Sequence, residues 1–125
     1  RPFFLKQAVL EIPANRAAPI AADMHFCDTA GAGIHMDLDW RQTGPQSWDI
    51  VVETDAGTLK LANGGAVLSL PSGTEHAEDH EYPGLYARFA TLIRSGRSDV
   101  DVAPLRLVAA AFLRGRRQIT EAFVD

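Results

Sequence analysis

Imidazole and carboxylate side chains are concentrated at residues 75–81. His76 and His80 occur here with Glu75, Glu78 and Glu81. Both side-chain types bind metal ions and transfer protons, so the first hypothesis to weigh is a metal or acid–base site. The run has no ordered ligand spacing, and a hydrated, charged surface segment is the favoured interpretation. We assign no metal-binding residue.

His80, Glu81 and Tyr82 also stand just before a predicted helix. From such a position, polar side chains can reach a cleft beside the domain. All three are therefore candidate ligand-binding residues, and the alternative is that they belong to the hydrated surface segment.

The two tryptophans offer broad aromatic planes with one polar N–H group each. Trp40 shares a strand face with Ile34, Met36 and Leu38, so packing in the core is favoured over ligand contact. Trp48 follows a Gly-Pro connection at the beginning of a predicted strand, where a large ring can project outward. Trp48 is the best single candidate for ligand binding, and Trp40 is kept as a weaker one.

No residue pattern in the chain predicts catalysis or cofactor binding. The single cysteine, Cys27, lies in an apolar alternation with no base beside it in sequence and is expected to be a small core residue. Ser69 and Ser72 lack a histidine–aspartate arrangement. The stretch 31–33 (Gly-Ala-Gly) follows a strand but leads into another strand and lacks the third glycine of a dinucleotide-binding turn. We assign no catalytic and no cofactor-binding residue.

The elements that must position these candidates are strands first and helices second. Period-two patterns predict strands near residues 4–12, 20–26, 34–40, 48–54, 58–61 and 67–70. Period 3.6 then predicts a helix that has Pro83 in its first turn and ends at Gly96. A second helix is predicted from Pro104 to about Arg114.

Short connections between the strands favour antiparallel pairing, because a parallel pair needs a long crossover. The fold class is therefore α+β, with two layers: a largely antiparallel open sheet and about two helices on one of its faces. The other face carries His35, Asp37, Asp39 and Arg41 along one strand. It is either hydrated or buried against a second copy of the chain.

Composition limits the remaining functions. The chain has 125 residues and a net charge of −4. This charge argues against a nucleic-acid-binding surface, and no apolar run is long enough to span a membrane. The basic cluster at residues 114–117 is interpreted as cations at the end of a helix. A single cysteine excludes an intramolecular disulfide and weakly favours a reducing compartment.

Several segments resemble one enzyme family. They are Glu-Tyr-Pro-Gly-Leu-Tyr-Ala-Arg-Phe at 81–89, the stretches 92–97 and 101–108, Gly-Arg-Arg-Gln-Ile at 115–119, and the tryptophan-containing stretch 39–50. Their order resembles the end of the sugar dehydrogenases of the glucose-fructose oxidoreductase / inositol dehydrogenase / MocA family. Within it, the chain looks most like the aldose 1-dehydrogenases that oxidise galactose or arabinose.

The resemblance implies that residues 1–125 are a C-terminal substrate-binding and oligomerisation domain, and the absence of an initial methionine fits this expectation. NAD or NADP would bind a preceding domain that carries the catalytic residues. The complete enzyme would oxidise the sugar at C1 to a lactone, and this domain alone would be inactive. The resemblance also implies a cytoplasmic homo-oligomer.

Two alternatives remain open at this point. The chain fits equally well a free-standing α+β module that binds a ligand or dimerises without catalysing a reaction. It also fits a non-catalytic regulator that retains the dehydrogenase fold. The residues that distinguish galactose from arabinose, or NAD from NADP, are not identifiable in the sequence.

Overall fold

The structure is a computed structural model that describes residues 2–78 and 80–124. The chain divides into two compact units, one formed by residues 1–42 and 100–125 and the other by residues 43–99. Within these described residues, eight strands and two α-helices confirm the predicted α+β class. The strands are β1 (Phe3–Pro13), β2 (Ala21–Asp28), β3 (Gly33–Asp39), β4 (Ile50–Thr54), β5 (Gly57–Ala62), β6 (Val67–Leu70), β7 (Gly73–His76) and β8 (Arg116–Thr120). The helices are α1 (Glu81–Ser95) and α2 (Ala103–Arg114).

The first unit is a four-stranded sheet with α2 packed against it. The strand order is β3-β2-β1-β8; β1–β2 and β2–β3 are antiparallel, and β8 is parallel to β1. Alternate residues of β1 and β2 face the helix, as a strand period of two requires. The core of this unit consists of Leu5, Ala8, Leu10, Ala22, Met24, Phe26 and Ala111. Ile34, Leu107 and Ala110 pack around its edge.

Small residues allow α2 to approach β1 closely. Ala111 is almost fully buried, and Ala8 lies below it on β1. Gly115 ends the helix with its amide donating to the Ala111 carbonyl at 2.8 Å. A Cβ at Gly115 would lie 2.4 Å from that carbonyl oxygen, so a side chain here would force the helix end away from the sheet.

The face of this sheet opposite α2 is polar. Along β3, His35, Asp37 and Asp39 are exposed. The guanidinium of Arg41 forms ion pairs with Asp39 at 2.7 Å and with Glu11 at 2.9 Å. The hydrogen bond from Arg41 holds the pKa of Asp39 below its ordinary value. In the described residues this face is polar and exposed.

The second unit is an antiparallel meander in the order β4-β5-β6-β7, followed by α1. The turn between β4 and β5 requires a glycine: Gly57 has φ +120°, and a Cβ there would lie 2.7 Å from the ring of Pro71. Helix α1 ends as predicted at Gly96, which is left-handed at φ +60°. None of the described α1 residues is buried.

Several local expectations need correction. The strands form two four-stranded sheets, whereas a single sheet was expected. The pairing is largely antiparallel, as predicted; the exception is β8, which lies parallel to β1 because the connection between them is most of the chain. Arg116 and Arg117 begin this strand, so of the basic cluster only Arg114 lies in the last turn of a helix. His76, expected in a link, ends β7, although its side chain is exposed as predicted.

Candidate functional site

An open cleft of about 670 Å³ lies within the unit formed by residues 43–99. Its volume falls within the range of small-molecule sites in proteins. The lining residues are Trp48, Asn63, Gly64, Gly65, Ala66, Glu78, His80 and Glu81. Three of the five candidates, Trp48, His80 and Glu81, therefore lie around one cavity, although they come from distant parts of the chain.

One wall of the cleft is a tight turn between β5 and β6. Asn63, Gly64 and Gly65 all have positive φ, at +52°, +65° and +99°. Asparagine and glycine tolerate this conformation with little strain. Both glycines face open space, since a Cβ at either would meet nothing within 4 Å. The turn therefore provides backbone groups without side chains that fill the cavity.

Trp48 provides the aromatic surface of the cleft. It precedes β4, and 56% of its side-chain area is exposed. The next residue, Asp49, forms an ion pair with Lys60 of β5 at 2.8 Å, which ties this segment to the sheet. An indole in this position can stack on an apolar ligand face and donate one hydrogen bond.

His80 and Glu81 provide polar groups at the start of α1. The carbonyl of His80 accepts a hydrogen bond from the amide of Gly84 at 2.9 Å, so His80 caps the helix with its backbone. Glu81 lies in the first turn, where its negative charge is stabilised by the exposed amides of the helix start. Imidazole and carboxylate groups together can accept and donate hydrogen bonds to hydroxyls.

The other two candidates do not line this cleft. Tyr82 is 63% exposed on α1, and its ring lies 6.4 Å from that of Tyr86. Trp40 belongs to the other unit and is 65% exposed, so the expectation that it packs in the core is wrong for this chain. Beyond the last described core contact of β3, at Ile34, the same strand face is open, with Met36 and Leu38 also partly exposed.

Sequence reasoning missed the turn at residues 63–66 and Glu78 as parts of the cleft. The Asn-Gly-Gly signal was visible, but it predicted only a change of direction between strands. The glycines line the cavity because β7 and the link after it return beside the turn, with the amide of Ala77 donating to the carbonyl of Ala66 at 2.9 Å. No residue alone carries a signal for that contact.

The arrangement is suited to binding a polar ligand with one flat apolar face. Within residues 2–78 and 80–124, the ligand atoms that converge closely enough for a metal ion belong to Asp23, His25 and His35 of the other unit. Neither helix of the described chain is both long and apolar enough to cross a membrane.

Comparison with known proteins shows that the chain is similar to part of several enzymes. No family model matches the chain. It is 40% identical to a galactose 1-dehydrogenase of Pseudomonas fluorescens over 99% of its own length and 41% of that enzyme. The crystal structure of D-galactose-1-dehydrogenase from Rhizobium etli superposes with a TM-score of 0.92 at 58% identity, covering 99% of this chain and 40% of that one.

A more distant structure shares the fold. A 3-ketoreductase from Actinomadura kijaniata, solved with TDP-benzene and NADP, gives a TM-score of 0.73 at 16% identity over 94% of this chain and 41% of the other. The chain thus spans about two fifths of each relative. The resemblance to sugar dehydrogenases is confirmed, and both near relatives carry the galactose name.

Proposed function

The chain is related along nearly its whole length to galactose 1-dehydrogenases, and on that premise we propose that it is the substrate-binding domain of an NAD(P)-dependent sugar dehydrogenase. The complete enzyme oxidises an aldose such as D-galactose at C1 to the lactone. The 58% identity to D-galactose-1-dehydrogenase, sustained over 99% of this chain, is the observation that carries the proposal. It favours galactose over arabinose, because both near relatives described above are named for galactose.

The cofactor and the hydride-transfer residues belong, in this proposal, to the part of the enzyme that precedes the chain. NAD or NADP accepts the hydride there, and the chemistry is the cofactor's own. The sequence supports this division, because the Gly-Ala-Gly stretch at 31–33 forms the turn and start of β3 and opens no helix. This domain alone is inactive.

The cleft of the second unit supplies the sugar contacts. Trp48 stacks on the C–H face of the ring, and His80 and Glu81 bind hydroxyls. The support is the convergence of an indole, an imidazole and a carboxylate on one cavity. Tyr82 and Trp40 remain weaker candidates, because they are exposed but lie outside the lining.

We also propose that the enzyme is a cytoplasmic homo-oligomer that associates through an open sheet face. The support is the exposed apolar surface of β4, where Ile50 and Val52 share one sheet face and are each about half exposed. Contiguous apolar surface of this kind marks association sites. Sedimentation velocity of the intact enzyme tests the proposal, and a monomer would contradict it.

The substrate proposal is tested with the intact enzyme against D-galactose, L-arabinose and D-glucose, with each nicotinamide cofactor in turn. Reduced cofactor and lactone should form together, fastest with galactose. In Trp48→Leu we expect KM for the sugar to rise about tenfold or more, since a lost apolar contact of this size is worth at least that in discrimination. If the Trp48 contact stabilises the ground state and the transition state equally, kcat should change little.

Trp40→Leu is the matched comparison, because it removes an indole of similar exposure that lies outside the cleft. A smaller rise in KM than in Trp48→Leu is expected. If Trp40→Leu raises KM and Trp48→Leu does not, the cleft is not the sugar site. If the intact protein oxidises none of the sugars, the free-standing binding module becomes the better explanation.

A further inference from the structure

Three ligand-type side chains meet on the polar face of the first unit. In the β2–β3 register His25 lies directly opposite His35, and Asp23 is two residues along β2 on the same face. His25 Nε2 lies 3.1 Å from one oxygen of Asp23, and His35 Nε2 lies 2.9 Å from the other. The two rings are stacked, with centroids 4.6 Å apart and planes 10° from parallel.

We propose that Asp23, His25 and His35 bind a divalent transition-metal ion, with Zn²⁺ as the reference case. Each residue offers one ligand atom, and these atoms lie within 4.8 Å of one another. Stacking aligns the two imidazoles so that both Nε2 atoms point toward the same carboxylate. This is the arrangement in which one cation can contact all three groups.

The distances require little adjustment to accept the ion. Zinc binds nitrogen and oxygen at roughly 2.0–2.2 Å, so two ligands in a tetrahedral site are about 3.3 Å apart. The histidine–carboxylate distances of 2.9 and 3.1 Å are already close to that value. The two histidine nitrogens lie within 4.8 Å of each other, so closing the site on one ion requires rotation of the rings toward the carboxylate.

The donor set selects the class of metal. Two imidazole nitrogens and one carboxylate oxygen suit zinc, cobalt, nickel or copper, whereas magnesium and calcium prefer oxygen ligands alone. Asp37 lies opposite Asp23 in the register and adds negative charge near the cation. The side chains of the three ligands are about half exposed, at 46–53%, so a metal ion can enter from solvent and retain water in its remaining position.

A bound ion would cross-link β2 to β3, and β3 is an edge strand of its sheet. An ion that binds the folded chain but not the unfolded chain stabilises the folded state by mass action. The site therefore has a stability readout that does not depend on sugar oxidation. It also does not depend on the proposed function of the cleft.

The test uses the intact protein without an affinity tag, stripped of metal with a chelator and titrated with Zn²⁺ by calorimetry. We expect one Zn²⁺ per chain at this site and a rise in melting temperature. His25→Gln and His35→Gln should each lower the zinc affinity at least about tenfold, the lower bound for disturbing a metal site. His76→Gln, which removes an exposed histidine of the other unit, should leave the affinity unchanged.

Co²⁺ provides a spectroscopic check, because its visible absorption reports nitrogen and oxygen ligands directly. The visible absorption of bound Co²⁺ should be lost in His35→Gln and retained in His76→Gln. The proposal is overturned if the unmodified protein binds no stoichiometric Zn²⁺, or if both His25→Gln and His35→Gln bind it as tightly. Should His25→Gln fail to fold, Asp23→Asn retains the side-chain shape and tests the same site.

Discussion

Replacing Gly115 with alanine should destabilise the first unit through one steric contact. A Cβ at this position would lie 2.4 Å from the carbonyl oxygen of Ala111 and 3.1 Å from the Cβ of Ala8. The backbone of Gly115, at φ −67° and ψ 145°, is ordinary for any residue, so dihedral strain plays no part. The clash with Ala111 is relieved only by distorting the last turn of α2, and the contact with Ala8 only by moving that turn away from β1.

Both movements disturb buried groups. Ala111 and Ala8 are 3% and 4% exposed, and the Ala111 carbonyl accepts the last amide hydrogen bond of the helix at 2.8 Å. Overpacking of a core typically costs about 1–3 kcal/mol. For a cooperative unit of this size, that corresponds to a fall of roughly 4–12 °C in melting temperature.

Gly33→Ala is the matched control for this effect. It adds the same methyl group in the same unit, but at a position with nothing within 4 Å and without positive φ. Because glycine in a strand is slightly unfavourable, we expect no loss and a gain of at most about 1 kcal/mol. Scanning calorimetry of both variants measures the difference, and amide exchange across α2 and β8 locates it. If Gly115→Ala melts with Gly33→Ala, the close approach of α2 to β1 is refuted.

Two further predictions concern charged groups of the first unit. Asp28→Ala should lower the free energy of unfolding by about 1–3 kcal/mol, because the buried carboxylate accepts amide hydrogen bonds from Ala30 at 2.8 Å and Ala32 at 2.9 Å. Asp28→Asn should retain most of this stability. Urea unfolding measures both variants, and equal losses would contradict a role for these hydrogen bonds in the turn. Arg41→Gln should raise the pKa of Asp39, which the hydrogen bond from Arg41 lowers in the folded protein. The lowered pKa stabilises the protein at pH values above the unfolded-state pKa, and this contribution is lost as the pH falls through the folded-state pKa. A carboxyl NMR titration that shows no rise in the pKa of Asp39 would rule this out.

Local patterns predicted most of the elements because local interactions decide them. The alternation along β3 predicted its faces only in part: Ile34 packs against the core and His35 is exposed, but Met36 and Leu38, on the same face as Ile34, are exposed too. β6 has the predicted bounds of residues 67–70. Glycine and proline marked the helix ends for the physical reasons expected, with Gly96 left-handed after α1 and Pro104 in the first turn of α2.

Strand β8 was missed because its conformation depends on a distant partner. Its sequence, Arg-Arg-Gln-Ile-Thr, is polar and short, and it follows directly on a helix. It becomes a strand by pairing with β1, as Val9 pairs with Arg116 and Ile12 with Ile119. Periodicity within a window carries no information about pairing across more than a hundred residues, so the arginines were interpreted as the end of the helix.

The candidate cleft was predicted in part for a related reason. Residue chemistry identified Trp48, His80 and Glu81 separately, since each combines a flat or charged group with a position next to an element boundary. Their convergence depends on the return of the chain after β7, fixed by the hydrogen bond between Ala77 and Ala66. Side-chain chemistry therefore identified individual residues of the cleft, and only the fold showed that they line the same cavity.

Helix α1 shows most clearly what a sequence pattern determines. The apolar stripe was predicted from spacing, and the residues do share a helix, yet Leu85, Phe89 and Ile93 are 57%, 58% and 64% exposed. In α2 the predicted apolar face is wrong: Leu107, Ala110 and Ala111 meet the core, whereas the larger residues that the spacing placed on one face are exposed, among them Leu105 at 68% and Leu113 at 84%. Periodicity determines which side chains share a face, but the covering surface must come from elsewhere. A stripe this apolar is stable in water only when covered, which agrees with a chain that spans about two fifths of the galactose dehydrogenases it matches.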